Sequence, residues 1–214
     1  MTSALEPERL CNLCPRLVKF RGKCQLDHPE WFNGAVPSFG SNSARLLIIG
    51  LAPGMHGANR TGRPFTGDFA GDLLYKTLIS FGFAGGTYNA EPKDGFTLVD
   101  CMVTNAVRCL PPRNKPIAAE INNCRHFLTA RITNMPNLKA IIALGQIAHD
   151  ATVVALNHKK SNFRFVHGAV HAMTENTRLF DCYHCSRYNT NTGRLTEAMF
   201  SNVFKTVSEY LRSK

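Results

Sequence analysis

The segment Arg45-Leu-Leu-Ile-Ile-Gly50-Leu-Ala-Pro-Gly54 is the strongest indicator of the fold. Its compact apolar run, bounded by turn residues, is typical of a strand that is buried on both faces. Strands of that kind belong to parallel sheets that carry helices on both sides. The glycine-rich turn that follows leaves the carboxyl end of this strand, where such sheets place their functional loops.

Along the rest of the chain, apolar runs typical of strands alternate with segments whose apolar residues have helical spacing. Further strands are predicted at residues 96–107, 139–144 and 178–183, and helices at residues 6–20, 72–81, 118–133, 146–156 and 195–211. This alternation predicts an α/β fold in which a four-stranded parallel sheet lies between helices on both faces. The length of 214 residues suits a single domain over residues 1–214.

The composition indicates a polyanionic partner. The chain has 25 lysines and arginines against 15 aspartates and glutamates, a formal charge of +10, and such a charge attracts nucleic acid. Residues 1–10 do not resemble a secretory signal, and no apolar run reaches membrane-spanning length. We therefore expect a cytoplasmic, nucleoid-associated protein with no membrane partner, whose eight cysteines are reduced thiols or metal ligands.

Four of the cysteines have a spacing that is typical of metal ligands. Cys11 and Cys14 form a C-x-x-C pair, and Cys109 and Cys124 follow far downstream. Thiolates in this pattern bind either a tetrahedral zinc ion or a four-iron cluster, and the spacing alone leaves both open. Cys101, inside a predicted strand, is interpreted as a small buried apolar residue.

The loop after the first strand carries candidate binding groups. Arg60 and Arg63 are expected to meet phosphates, and Phe65 is a candidate stacking platform for an extruded base. Asp68 has two interpretations: it orients water or stabilises positive charge on a sugar, or it only caps the next helix. The loop lacks a G-x-G-x-x-G pattern and a Walker lysine, which argues against dinucleotide and nucleoside-triphosphate sites.

The loop after the last predicted strand is crowded with hydrogen-bond donors. His184, at the strand end, is either a donor to an oxygen of a departing base or a structural histidine. The residues expected to contact the DNA backbone or fill a vacated stack are Arg187, Asn189, Thr190 and Asn191. Because this loop, residues 50–54 and residues 105–114 each follow a predicted strand, we expect the three loops to line one cleft.

Five segments give the chain a close resemblance to the uracil-DNA glycosylase superfamily, specifically to its fifth family, the B-type iron–sulfur enzymes. These segments are residues 11–17, 50–54, 59–68, 107–116 and 184–193, and their order and spacing agree with the family throughout. The fourth, A-type family has an acidic residue directly after the first glycine of the Gly50 motif. This chain has Leu51 there, which separates it from that family.

The resemblance implies a three-layer glycosylase fold and a structural [4Fe–4S] cluster held by Cys11, Cys14, Cys109 and Cys124. The implied activity is monofunctional hydrolysis of the bond between a damaged base and its deoxyribose, with the base flipped out of the DNA helix. Uracil is the expected base, and the family also accepts hypoxanthine and xanthine. We expect a monomer that acts on DNA containing these bases.

The resemblance also assigns roles to single residues. It implies that Phe65 stacks on the flipped base, that Asp68 is the catalytic carboxylate, and that His184 stabilises negative charge on the leaving base. Asn114 matches a further catalytic or positioning residue. The residues that the resemblance assigns to binding of the base, besides Phe65, are Gly54, His56 and Asn105. B-type members carry a small apolar residue in place of Asn105, so this departure is expected to sharpen selectivity for uracil.

Two other interpretations stay open from the residues. A non-catalytic iron–sulfur module would use the same basic loops to recognise damaged DNA without cleaving it. A zinc-stabilised hydrolase would use Asp68 and His184 on a small substrate, although the basic, asparagine-rich loops disfavour this interpretation.

Overall fold

A sheet of short buried strands forms the centre of the molecule. The computed structural model describes residues 5–214, so residues 1–4 of the predicted domain lie outside the described part. The strands are β1 (Phe39–Gly40), β2 (Leu46–Gly50), β3 (Ala84–Gly85), β4 (Thr97–Leu98), β5 (Cys101–Asn105), β6 (Ala140–Leu144), β7 (Val170–Ala172) and β8 (Arg178–Cys182).

The four central strands run parallel, in the order β5-β2-β6-β8. The prediction of four parallel strands is therefore confirmed. The sheet itself has six strands, because β1 and β7 add antiparallel edges to β5 and β8. These edge strands have only two and three residues. Strands of this length are too short to show an alternating hydrophobic pattern in the sequence. A separate two-stranded ribbon joins β3 and β4.

Helices cover both faces of this sheet. They are α1 (Pro15–Asp27), α2 (Ala58–Thr61), α3 (Phe69–Ser80), α4 (Ala118–Thr133), α5 (Gln146–Ala155), α6 (Arg187–Asn191) and α7 (Glu197–Arg212). Because side chains alternate across a strand, Leu46 and Ile48 of β2 pack in the core cluster that contains α3 and α7. Leu47 and Ile49 pack in the opposite cluster, with α4 and α5. The three-layer α/β architecture is confirmed.

Two predicted starting points are wrong for local reasons. The first helix begins at Pro15 rather than near residue 6, since proline suits the first helical turn and cannot continue a helix from within. The second strand begins at Cys101 rather than at residue 96, because Asp100 has a φ of 50°, a left-handed conformation that interrupts an extended chain. No helix in the part of the chain that the structure describes is both long and apolar enough to cross a bilayer.

Candidate active site

The loops that leave β2, β5 and β8 line one cavity of about 520 Å³. This volume lies within the range of about 300 to 1,000 Å³ that is usual for small-molecule sites. The cavity brings together eight of the residues predicted from sequence: Gly54, His56, Phe65, Asp68, Asn105, Asn114, His184 and Arg187. The expected cleft at the carboxyl ends of the strands is therefore present, with an aromatic ring, a carboxylate, an amide and an imidazole in it.

Phe65 is held in a strained backbone conformation beside the cavity. Its φ is 54°, which is uncommon for a bulky residue and tends to occur where function requires it. The ring lies 6.1 Å from the ring of His184, at an interplanar angle of 27°. Gly50 makes this placement possible, because a Cβ there would overlap the Phe65 ring and the Asn105 side chain.

Asp68 is both the cap of α3 and a cavity residue. Its Oδ1 accepts a hydrogen bond from the backbone N–H of Gly71 at 3.0 Å, so the capping interpretation is confirmed. Its Oδ2 faces Gly54 and Gly57, and a Cβ at Gly57 would overlap the carboxylate. Burial raises the pKa of Asp68, while backbone N–H groups of Gly71 and Ala70 oppose the rise. One carboxylate oxygen is thus fixed by the helix, and the other lies beside Gly54 and Gly57 in the wall of the cavity.

His184 enters the cavity as a neutral imidazole. Burial lowers its pKa to about 4, so the ring carries no charge at neutral pH. Asn189 fixes the backbone of the strand end by donating from Nδ2 to the carbonyl of His184 at 2.8 Å. Within residues 5–214, neither ring nitrogen of His184 has a hydrogen-bond partner. The ring is therefore available to donate one N–H to a bound group.

Asn105 presents an amide that the protein itself does not satisfy. The residue ends β5, is 3% exposed and lines the cavity. Its Oδ1 is buried and has no hydrogen-bond partner among the described residues. A buried polar atom without a partner costs free energy unless a ligand or water satisfies it. Because Asn105 lines the cavity, a polar group of a bound ligand or a water molecule is the available partner for this amide.

Asn114 lies at the exposed mouth of the cavity. Asn114 and Arg113 both have positive φ values, 55° and 56°, and the backbone N–H of Asn114 donates to the carbonyl of Pro111 at 3.1 Å. Two consecutive non-glycine residues in the left-handed region indicate local strain. This strained turn brings the Asn114 side chain to the cavity that Asp68 and His184 share.

Arg63 does not face DNA, and the prediction that it meets phosphates is wrong. Its guanidinium is buried and donates to both carboxylate oxygens of Asp94 at 2.8 Å. Hydrogen bonds from Arg63 hold the pKa of Asp94 well below its usual range. Arg63 also donates from Nε to Thr66 Oγ1 at 2.7 Å. The ion pair therefore fixes the loop around Phe65 from inside.

The other basic residues of the loops remain partly accessible. Arg60 donates to Glu91 at 2.9 Å and to two backbone carbonyls, so a phosphate would compete with an existing partner. Arg187 is exposed at the cavity rim, 5.3 Å above the ring of Phe69. Its contact with DNA stays a prediction, as does that of Arg60.

The predicted loop after β8 contains the short helix α6, which sequence analysis missed. Ser186 caps it, because its Oγ accepts from the backbone N–H of Asn189 at 3.4 Å. A serine followed by polar helix-compatible residues was the available signal. Asn189 and Thr190 are half-buried and bond to loop backbone, whereas Asn191 is exposed. Their predicted DNA contacts are untested.

A second cluster, built from four cysteines, contains none of the residues that line the cavity. Cys14, Cys109 and Cys124 are buried together with Leu17, and Cys11 packs against them. Burial raises the pKa of Cys109 to about 12 and that of Cys124 to about 11, and the neighbouring thiols add to both shifts. The sulfurs are also approached by N–H donors: Arg108 N at 3.4 Å from Cys124, Asn123 Nδ2 at 3.6 Å from Cys14, and Arg21 Nη1 at 4.0 Å from Cys109.

The chemistry of this cluster of thiols is compatible with two cofactors. Four thiolates can bind one zinc ion tetrahedrally or hold a four-iron cluster. Cys101 is fully buried in β5, as expected.

Comparison with known proteins places this site in a family. The profile of the Uracil DNA glycosylase superfamily matches residues 37–208. A Type-5 uracil-DNA glycosylase of Thermus thermophilus is 41% identical over 199 residues, which cover 90% of each chain. A Type-5 uracil-DNA glycosylase of Pyrobaculum aerophilum is 36% identical and covers 91% of this chain and 86% of its own. A Type-4 uracil-DNA glycosylase of the same organism is 31% identical over 71% of this chain and 69% of its own. The chain therefore belongs to the Uracil DNA glycosylase superfamily, whose members are hydrolytic N-glycosylases.

Proposed function

We propose that the protein removes uracil, and other deaminated bases, from DNA by hydrolysing the N-glycosidic bond of a flipped nucleotide. The unsatisfied amide of Asn105, inside a cavity that also holds Phe65, Asp68 and His184, carries this proposal. An extruded base is flat, so it suits the Phe65 ring, and it has a polar edge that suits an amide. The net charge of +10 supports a DNA substrate.

The amide of Asn105 matches the edge that deaminated bases share. Uracil, hypoxanthine and xanthine each present a ring N–H beside a carbonyl oxygen, so an amide can accept from the first and donate to the second. This complementarity accounts for the proposed range of bases. Since Asn105 replaces the small apolar residue of B-type enzymes, we further propose that uracil, the smallest of the three bases, gains most from it.

The proposed reaction uses one charged and one neutral side chain. As the bond from C1′ to the base breaks, its electron pair leaves with the base, and an N–H of His184 donates to the base oxygen that gains charge. The Oδ2 of Asp68 stabilises the positive charge that develops on the sugar and orients a water molecule. The water adds its hydroxyl to C1′, and its remaining proton neutralises the departing base.

Replacing His184 by alanine is expected to slow uracil excision by about ten- to a hundredfold, which is the usual effect of losing a hydrogen bond to a charged group. Single-turnover cleavage of uracil-containing DNA measures the rate. Binding of uncleaved DNA should change little, because the ring lies inside the cavity. With a pKa of about 4 for His184, the wild-type rate should show no titration of this ring near pH 6.5. Normal excision by His184→Ala would contradict the role.

Replacing Asn105 by alanine is expected to lower uracil excision by about tenfold, because two hydrogen bonds of about 0.5 to 1.5 kcal/mol each are lost. Hypoxanthine excision should fall less, since we propose that uracil gains most from this amide. The ratio of kcat/KM for the two bases, measured on matched oligonucleotides, tests this selectivity. An unchanged ratio would show that Asn105 does not distinguish them.

We also propose that Cys11, Cys14, Cys109 and Cys124 hold a [4Fe–4S] cluster with a structural role. The burial of the thiols and the N–H donors close to three of the sulfurs support this cofactor. When bound, the cluster would join α1 to the start of α4 and to the chain after β5. No step of the proposed reaction needs it.

One assay separates the proposed enzyme from its two alternatives. Purified protein is incubated with an oligonucleotide that contains one uracil and then treated with alkali. Strand breaks at the uracil position are expected, while a non-catalytic DNA-binding module would bind the oligonucleotide and leave it intact. A zinc-stabilised hydrolase would contain zinc without iron. The monomeric state and the location at the nucleoid remain part of this proposal.

A further inference from the structure

We propose that Trp31 and His28 form an aromatic platform that stacks on a DNA base next to the flipped nucleotide. The inference rests on the proposed function, because it extends the cavity for the flipped nucleotide to the neighbouring base. The two rings are stacked, with centroids 3.8 Å apart and an interplanar angle of 4°. The ring of Trp31 also meets the ring of His56 edge to face at 5.5 Å. His56 lines the cavity, so the platform adjoins its rim.

Buried hydrogen bonds fix the turn that carries this platform to the cavity loop. The backbone N–H groups of Phe32 and Asn33 donate to the carbonyls of Arg60 and Asn59, both at 3.0 Å. The buried amide of Asn59 donates to Asn33 Oδ1 at 2.9 Å. Asn33 itself has a φ of 45° and returns a hydrogen bond to the carbonyl of His28 at 2.7 Å. The turn is therefore held against the loop that lines the cavity.

The rings are not needed to fill the core. Trp31 and His28 are both half-buried, His56 is exposed, and none of them belongs to the hydrophobic core clusters. A half-exposed aromatic stack at the edge of a binding cavity is suited to the faces of nucleobases. Flipping one nucleotide removes a stacking partner from its neighbours, so a base at this position gains from a substitute.

The charge around the platform restricts the kind of contact. Asp27 and Glu30 are exposed on the same turn, and their carboxylates repel phosphates. The platform is therefore suited to the face of a base rather than to the DNA backbone. The basic charge that attracts the backbone must come from other parts of the surface.

Trp31 is the one tryptophan of the chain, which makes the test direct. Wild-type protein is titrated with DNA that contains 2′-fluoro-2′-deoxyuridine, a nucleotide that resists hydrolysis, while labelled DNA reports saturation by anisotropy. Stacking of a base on the indole should quench tryptophan emission in parallel with binding. Saturation of the anisotropy with unchanged tryptophan emission would overturn the proposal, and this experiment needs no variant.

Variants supply the energetic test. Trp31→Ala should weaken binding of this DNA about tenfold or more, as expected for the loss of one base–aromatic stack. Trp31→Phe should retain most of the affinity, because it keeps a ring face. Leu26→Ala is the matched control, since Leu26 is 84% exposed on α1 and offers no ring. Trp31→Ala protein that is folded and binds like the Leu26→Ala control would also overturn the proposal.

The two proposals fail in different ways. Quenching of Trp31 by DNA in a protein that never releases uracil would remove the glycosylase function and leave the platform in place. Efficient release of uracil without any response of Trp31 would remove the platform and leave the enzyme.

Discussion

Replacing Asp68 by asparagine is expected to reduce single-turnover excision of uracil by at least about a hundredfold, because preorganised charge in a buried site is worth about 2 to 4 kcal/mol to a transition state. The substitution keeps the shape of the side chain and removes only its charge. Rapid-quench measurement of product formed by excess enzyme gives the rate of the chemical step. Near-normal cleavage would reject Asp68 as the catalytic carboxylate.

Capping of α3 provides the control for this experiment. Asparagine caps helices about as well as aspartate does, so Asp68→Asn should retain the hydrogen bond from Gly71. Because burial raises the pKa of Asp68, its ionised form is unfavourable in the folded state, and the neutral amide should leave the thermal stability equal or higher. Asp68→Ala removes both cap and charge and should lose about 1 kcal/mol of unfolding free energy as well. If the excision rate falls only where the unfolding free energy falls, in both Asp68→Asn and Asp68→Ala, then Asp68 only caps the helix.

The same assignment predicts the acid side of the pH profile. Asp68 acts in its ionised form, so excision should fall as the pH drops through its raised pKa. An exposed aspartate would titrate near pH 3.9, and the fall should begin above that value. In Asp68→Asn this limb should disappear from the residual rate.

Much of the fold is predictable from the sequence because burial on both faces leaves an unambiguous signal. Leu46–Gly50 and Ala140–Leu144 are almost wholly apolar, and both are strands with every residue buried. The predicted limits of the helix Ala118–Thr133 are confirmed. The edge strand Phe39–Gly40 is not predictable from the sequence. Two residues are too few to show a hydrophobic alternation, and the pairing of this strand with β5 is a tertiary contact.

The candidate site shows the same division between local and tertiary information. The sequence predicts that Asp68, His184 and Asn105 lie close together. Each lies at or after the end of a predicted strand, and parallel strands place their carboxyl ends at one edge of the sheet. Arg63 was misinterpreted because its partner, Asp94, lies 31 residues away and converts a supposed phosphate ligand into a buried ion pair. Trp31 was overlooked because its neighbour His56 is close only in the folded chain.

Loss of one of the proposed cluster ligands is the second large effect that we expect. Cys124→Ser should abolish the brown colour and the iron of anaerobically prepared protein, and it should lower the unfolding free energy by at least about 3 kcal/mol, equivalent to a fall in Tm on the order of 10 °C. The reason lies in α1, which buries only Leu17, Arg21 and Cys24. So small an apolar face cannot hold a 13-residue helix by itself.

The matched control is Cys24→Ser, which changes a buried cysteine of α1 outside the four-cysteine set. It should retain iron and colour, and its loss of stability should stay well below that of Cys124→Ser. Limited proteolysis adds a local readout: without the cluster, cleavage should begin within α1, because the remaining polar contacts of this region, such as the Arg16–Glu120 ion pair and the hydrogen bond from Asn123 to Leu13, are part-buried or exposed. Zinc in place of iron in the wild type, or an intact iron signal in Cys124→Ser, would contradict the cluster and leave the catalytic assignments untouched, because no step of the proposed hydrolysis passes through it.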